Sequence, residues 1–283
     1  MYQLVATAPE AIGALSVARM CHALALNRAA YYRWRDRREE PTSAVELRDQ
    51  LQRLALEFPT YGYRRMTHEL RRRGVAVNHK RVRRLMRKDN LLCLRHKGFV
   101  RTTDSRHELL AYPNLVPELV VNGPDQLWVA DITYIRLQRE FIYLAVILDA
   151  WSRRCIGWAL DRHLETELAL AALRMALSTR QVQAGLIHHS DRGVQYASQA
   201  YTSMLKAYEI RISMGRRGNP YDNAQAERFI RTLKYEEVYL FEYQDFSEAY
   251  AHVSYFLEEV YNHKRLHSAL GYRPPVEFEQ LCG

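Results

Sequence analysis

Cysteine is scarce. Cys21, Cys93, Cys155 and Cys282 are the four in 283 residues, and no two form a Cys-x-x-Cys pair. That scatter excludes a zinc ribbon and a disulfide framework, so reduced thiols in a cytosolic setting are expected. Long apolar runs are missing as well. None approaches the roughly 18 residues of a membrane helix. The opening MYQLVATAPEAIGALSVARM lacks the charged-then-apolar order of a secretory signal. His263 and His267 have a four-residue zinc spacing but not the glutamate of H-E-x-x-H or a third soft ligand, which argues against a zinc centre. Internal repeats, low-complexity tracts and a sustained heptad are also absent. What remains is a soluble intracellular protein with no membrane role.

Charge is abundant but uneven. Residues 1–110 hold 23 Lys/Arg against 11 Asp/Glu, a net +12, whereas residues 111–283 hold 18 against 21, a net −3. A basic front on a slightly acidic back suits a nucleic-acid-binding module joined to a metal-dependent catalytic one; a solvated basic surface is the alternative.

The periodicity divides the chain in four: a helical segment over 1–40, a helix-turn-helix over 41–97, a linker over 98–123 and a catalytic core over 124–283. In the first segment, one helix is expected over about Glu10 to Ala25. A second follows the N-cap Asn27, with Ala29, Tyr32 and Trp34 inward and Arg28, Arg35 and Arg38 in water. Ser43 and Glu46 form a capping box before a helix offering Val45, Leu47, Leu51, Leu54 and Leu56 for burial. Tyr63–Arg73 makes the next helix, closed by Gly74. Asn78 caps a third, with Val82, Leu85 and Met86 inward. Lys80, Arg81, Arg83, Arg84 and Arg87 crowd its remaining surface, where like charges repel unless phosphates neutralise them. The third helix is therefore a candidate for the DNA major groove, or else a solvated face.

Beyond the linker the period changes to that of strands. LWVADITYI, FIYLAVILDA and RRCIGWALD form an antiparallel meander, and helix and strand then alternate through LIHHS and EIRISM to a long helix from Asp222. The fold class is α/β, a mixed five-strand sheet flanked by helices behind an all-α front.

Three carboxylates stand out. Alternation places Leu127, Val129, Asp131, Thr133 and Ile135 on one face of the first strand. A buried, charged Asp131 there needs a cation or hydrogen bonds. Asp191 follows LIHHS at a strand's carboxyl end, where such sheets place functional groups. Glu227 shares a helix face with Asn223, Arg231 and Lys234, beside inward Ala226, Phe229 and Leu233. Each has an ordinary alternative: a backbone-bonded Asp at a bulge, a turn-forming Asp, and a Glu–Arg pair worth roughly 0.2–0.5 kcal/mol. Asp149 at a hairpin is better explained as an Asx turn. Of His188 and His189, one must point inward, and a packed, hydrogen-bonded histidine is expected there rather than a metal ligand or general base. Hard oxygen donors without Cys or His point to Mg²⁺ or Mn²⁺, two ions per site, and to phosphodiester chemistry.

Taken together, YGYRR near Tyr61, WVADITYI, HSDRGVQY, GNPYDNAQAERFIRTLK and YNHKRLHSALGYRPP closely resemble the transposases of the insertion sequence three family, in particular their second-reading-frame protein. The 35 residues between Asp191 and Glu227 match that family's spacing. The resemblance implies a ribonuclease-H-like, retroviral-integrase-type core in which Asp131, Asp191 and Glu227 are catalytic and bind metal, with Lys234 near DNA. It implies cleavage at the element's ends and 3′-OH strand transfer into DNA. Lys80, Arg81, Arg84, Arg87, Asn223 and Arg231 are further DNA-contact candidates. Expected partners are element-end and target DNA, further copies of the chain, and an upstream-frame protein joined by frameshift; the expected location is the bacterial cytoplasm, on the nucleoid. A non-catalytic regulator of transposition and a structure-selective nuclease are the alternatives.

Overall fold

The computed structural model describes Val5 and residues 16–36, 44–91, 93, 112–117, 119–216 and 223–282. Expectations for Glu10, Ser43, Asp222, most of the 98–123 segment and the Gly218-Asn219-Pro220 turn fall outside these, as do the side chains of Trp34 and Arg35. The chain forms two compact units, residues 1–56 and 57–283.

In the first unit, α1 (Val17–Ala23) and α2 (Arg28–Asp36) enclose a small core of Val5, Met20, Cys21 and Tyr31. Tyr31 is the inward residue of α2, with Tyr32 half-buried, whereas Ala29 is exposed. The small core thus takes its ring from Tyr31, one position before the expected Tyr32. Asn27 caps α2 as anticipated, accepting from the amide of Ala30. In α3 (Ala44–Glu57), Leu47, Leu51 and Leu54 are buried while Val45 and Leu56 are 75% and 83% exposed. The reason is helical phase: positions spaced by four and three share a stripe, and each exposed residue sits two positions off it, on the far side.

The second unit starts with α4 (Tyr63–Arg72) and α5 (His79–Lys88). Asn78 caps α5 by accepting from the amide of Lys80, and Val82, Leu85 and Met86 face inward as their spacing requires. Gly74 takes a left-handed φ of 83° after α4, as a helix-closing glycine does.

Five strands follow: β1 (Leu127–Arg136), β2 (Phe141–Asp149), β3 (Cys155–Asp161), β4 (Ile187–Ser190) and β5 (Arg211–Met214), in the spatial order β3-β2-β1-β4-β5. The first three pair antiparallel, and β4 and β5 join parallel to β1. Each sheet face has its own core. Leu127, Val129 and Ile135 pack with Ala226, Phe229 and Leu233 of α8 (Ala224–Leu233), and also against α9 (Phe246–Tyr255). Trp128 and Ala130 pack on the opposite side with α6 (Thr166–Thr179) and α7 (Gln199–Ala207). Alternation along β1 therefore assigns Asp131 to the α8 face. The chain ends in α10 (Pro275–Cys282). Among the described residues, no helix is long and apolar enough to cross a membrane.

Gly157 lets β3 approach α6 closely. A Cβ there would sit 2.3 Å from the Ala172 carbonyl oxygen and 2.9 Å from the Ala176 Cβ, atoms of a packed helix that cannot swing aside. Gly157→Ala is expected to destabilise the unit by about 1–3 kcal/mol, as overpacking does. A differential scanning calorimetry melt should fall by several degrees; an unchanged melting temperature would show that α6 shifts freely.

Candidate active site

Asp131 lies mid-strand, paired across from Val146. It is half-buried, and its Oδ1 accepts from the amide of Ile132 at 2.9 Å. Burial first, then the neighbouring Asp191, raise its pKa well above the ordinary carboxylate range. Glu227 adds to the rise, while the Ile132 amide and Lys234 oppose it. Three carboxylates and one ammonium from β1, the β4 exit and the α8 helix thus share one electrostatic neighbourhood.

Asp191 accepts from the Gly193 amide at 2.9 Å, a local turn that holds the carboxylate at the end of β4. Glu227 is exposed in the first turn of α8, where a negative charge suits the helix dipole. The start of that helix is pinned to β1 by Asn223, which is buried and donates through Nδ2 to the carbonyl of Ala130 at 3.0 Å, one residue from Asp131. Past Leu233 the helix widens into a π-helical turn, Lys234–Val238, of the kind that recurs at functional sites. That turn buries Lys234, whose Nζ sits 4.2 Å from the ring centroid of Tyr134. Burial lowers the Lys234 pKa and Asp131 counteracts it.

The donors are hard carboxylate oxygens, suited to a divalent cation, and the mutual repulsion felt at Asp131 is what such a cation would relieve. Among the described residues, no three His, Cys, Asp or Glu side chains are gathered tightly enough to hold an ion as they stand.

The remaining candidates separate. On α5, Lys80, Arg84 and Arg87 are exposed and Arg81 is half-buried. Arg231 is exposed, and its guanidinium carbon lies 5.6 Å from the ring centroid of Tyr235. Asp149 is fully buried and accepts from Ser152 and from the Asp125 amide, the Asx-type role expected of it. Both strand histidines are buried, because β4 is covered on both faces. His188 pairs with the Tyr201 hydroxyl at 2.9 Å and His189 with the Ser213 hydroxyl at 2.8 Å. Burial pushes the His188 pKa down to about 3, so this imidazole is neutral. His267 is likewise neutral, pushed to about 2 by burial and the nearby arginines.

Asn223 and Lys234 stand out in the sequence by their place on the Glu227 face, but as DNA contacts, not for the packing roles the structure gives them. Asn223 clamping to a backbone carbonyl and the Lys234–Tyr134 stack depend on β1 and α8 meeting, which spacing within either element does not reveal.

Sheet order and the convergence on the α8 face define a ribonuclease-H-like, integrase-type core. Integrase core domain families match residues 121–220 and 208–275, and an HTH-like domain family matches residues 43–99. The chain is 36% identical over 270 residues to the insertion element IS600 uncharacterized 31 kDa protein of Shigella sonnei, covering 92% of this chain and 97% of that one. It is 35% identical to the transposase InsF for insertion sequence IS3A of Escherichia coli K12, covering 93% and 94%. A chain of the simian T-cell lymphotropic virus intasome in complex with PP2A regulatory subunit B56 gamma aligns at a TM-score of 0.48 and 15% identity, covering 81% of this chain and 74% of that one. The chain belongs to the IS3-type insertion-sequence transposases, and its activity is that of a DNA transposase with an integrase-type core.

Proposed function

We propose that Asp131, Asp191 and Glu227 are the catalytic carboxylates of this transposase and hold two Mg²⁺ or Mn²⁺ ions between them. Bound there, the ions would supply Lewis-acid stabilisation of the attacking and leaving oxygens of a phosphodiester. The chain's own residues do the rest. β1 and the Asn223 clamp fix Asp131 and Glu227 relative to each other, and the α8 face turns Arg231 toward the strand being cut. Lys234, held beside Asp131, tempers the repulsion among the carboxylates. The reaction is strand cleavage at an element end, freeing a 3′-OH, followed by attack of that 3′-OH on a second phosphodiester. The observation that carries this reading is that β1, the β4 exit and α8 bring Asp191 and Glu227 close enough to Asp131 to add to the rise in its pKa that burial begins, with Asn223 pinning α8 to β1 beside it. Cleavage and joining of an element-end duplex by the full chain in Mg²⁺ test it; a protein that binds duplex yet nicks none in either metal would sink it.

Two DNA ends must meet in one complex, so the working form is a dimer or larger on DNA, with an upstream-frame fusion as a further partner. DNA affinity of this kind would hold the protein on the nucleoid. Lys80, Arg81, Arg84 and Arg87 would touch phosphates, which position DNA without reading its sequence. Replacing Arg84 and Arg87 by glutamine should lower the slope of log affinity against log salt by about 0.9 for each phosphate no longer neutralised. Fluorescence anisotropy across a salt series measures it; an unchanged slope would leave α5 a solvated face.

A further inference from the structure

A cavity of about 250 Å³ opens beside α8, and its charge is one-sided. Arg65, Arg153, Arg228 and Arg265 line it, with Gln225, Thr232 and Ser268 supplying neutral donors; no carboxylate lines it among the described residues. These arginines come from four places: α4, the β2–β3 turn, α8 and the segment before α10. Their convergence is felt by His267, also on the wall, whose pKa is depressed by burial and then by Arg265, Arg65 and Arg153.

The charge behind the wall is insufficient to neutralise it. Glu236 accepts from Arg265 through two hydrogen bonds of 2.7 Å and from Arg65 at 3.1 Å, and among the described residues it is the one carboxylate paired with any of these four guanidiniums. Arg153 also holds a left-handed backbone, φ 62°, which a non-glycine residue adopts only at a cost and which recurs at ligand-binding sites. Guanidiniums with hydroxyl and amide donors around a concave, acid-free site match the oxygens of a phosphate.

We propose that this cavity holds a backbone phosphate of duplex DNA, a second anchoring point outside the three carboxylates. The inference rests on the transposase reading and extends it. Arg228 follows Glu227 directly on α8, about 100° round the helix, while Gln225, two positions before Glu227, turns toward the far side. A strand carries a phosphate for about every 3.4 Å of duplex rise. A duplex that lies against Glu227 and continues past Arg228 would present a further phosphate to the cavity. The YGYRR motif, through Arg65, and the YNHKRLHS motif, through Arg265 and Ser268, acquire a shared purpose: building one phosphate pocket from opposite ends of the chain.

The test measures binding of a fluorescein-labelled duplex of arbitrary sequence to the full chain between about 50 and 200 mM salt. The variants are Arg153→Gln with Arg228→Gln, both away from the Glu236 pairs, and Arg153→Lys with Arg228→Lys. The glutamine pair should lower the salt slope by about 0.9, for the one phosphate no longer neutralised, so the fall in affinity across that fourfold salt range shrinks by about three- to fourfold. The lysine pair should keep the parental slope, since it keeps the charges. An unchanged slope in the glutamine pair overturns the pocket. So does loss of inorganic phosphate binding, or of self-association, while the duplex slope stays parental, because the first assigns the arginines to a free anion and the second to a contact between copies of the chain. Strand cleavage by the parent protein in Mg²⁺ is scored separately, so failure of the pocket and failure of the transposase reading give different results.

Discussion

Glu227→Gln and Asp131→Asn should each abolish joining of an element-end duplex while leaving duplex binding intact. The expected loss is about a thousandfold or more, because several kcal/mol of transition-state stabilisation depend on cation-held oxygens and each step of about 1.4 kcal/mol is a factor of ten. The amide keeps the shape of the carboxylate and removes its charge, so packing on the α8 face should survive. Asp131→Asn should do more than survive. The parental carboxyl is driven toward its protonated form by burial and by Asp191. A folded-state pKa raised above the unfolded value means that the charged form weakens the fold once pH passes the unfolded pKa. At neutral pH without divalent metal, the asparagine variant should therefore melt above the parent. Mg²⁺ should then raise the parent's melting temperature and leave that of the variant unmoved. Parental joining rates in Glu227→Gln would remove Glu227 from the site. Cutting without joined product in the parent would favour a nuclease instead.

Much of this architecture is legible in the sequence, because alternation and helical period are local signals. LWVADITYI puts Asp131 among Val129 and Ile135 on one side, and the structure packs those neighbours against α8. Inward Val82, Leu85 and Met86 on α5 followed from spacing alone. The misplacements have local causes too. Val45 and Leu56 are apolar enough to read as core, yet their phase turns them outward. Two adjacent strand histidines suggest one inward and one outward, but a strand inside a doubly covered sheet buries both. What spacing does not encode is proximity at long range. Arg65 and Glu236 are 171 residues apart in sequence and 3.1 Å apart in the fold. The motifs on either side of that pairing could be noticed, but their meeting could not be derived.

That long-range pairing should also be the most fragile electrostatic feature of the fold. Arg265 and Glu236 are joined by two hydrogen bonds of 2.7 Å, with side chains only 7% and 12% exposed. Burial alone would raise the Glu236 pKa, but Arg265 and then Arg65 pull it below the ordinary value. A depressed carboxylate contributes stability that is present above its unfolded pKa and is lost as acid protonates it. Arg265→Leu would leave the carboxylate buried with only Arg65 for company, which costs about 3–5 kcal/mol when a buried pair is broken. Native stabilities are about 5–15 kcal/mol, so this one change removes a large fraction. Arg72 and Glu277 offer a contrast. Theirs is also a close pair, at 2.6 Å, but with side chains 40% and 31% exposed, and its removal should cost under about 1 kcal/mol. In the double variant Arg265→Leu with Glu236→Leu, no carboxylate is stranded, and the cost should fall well below the sum of the single changes. A denaturant-melt double-mutant cycle measures that difference as a coupling energy. Coupling near zero would mean that water, rather than Arg265, satisfies Glu236. Because Arg265 also braces α4 through the Arg65–Glu236 bond, failure of an Arg265 variant to bind DNA would report unfolding, whereas Arg153 and Arg228 can report on phosphate binding alone.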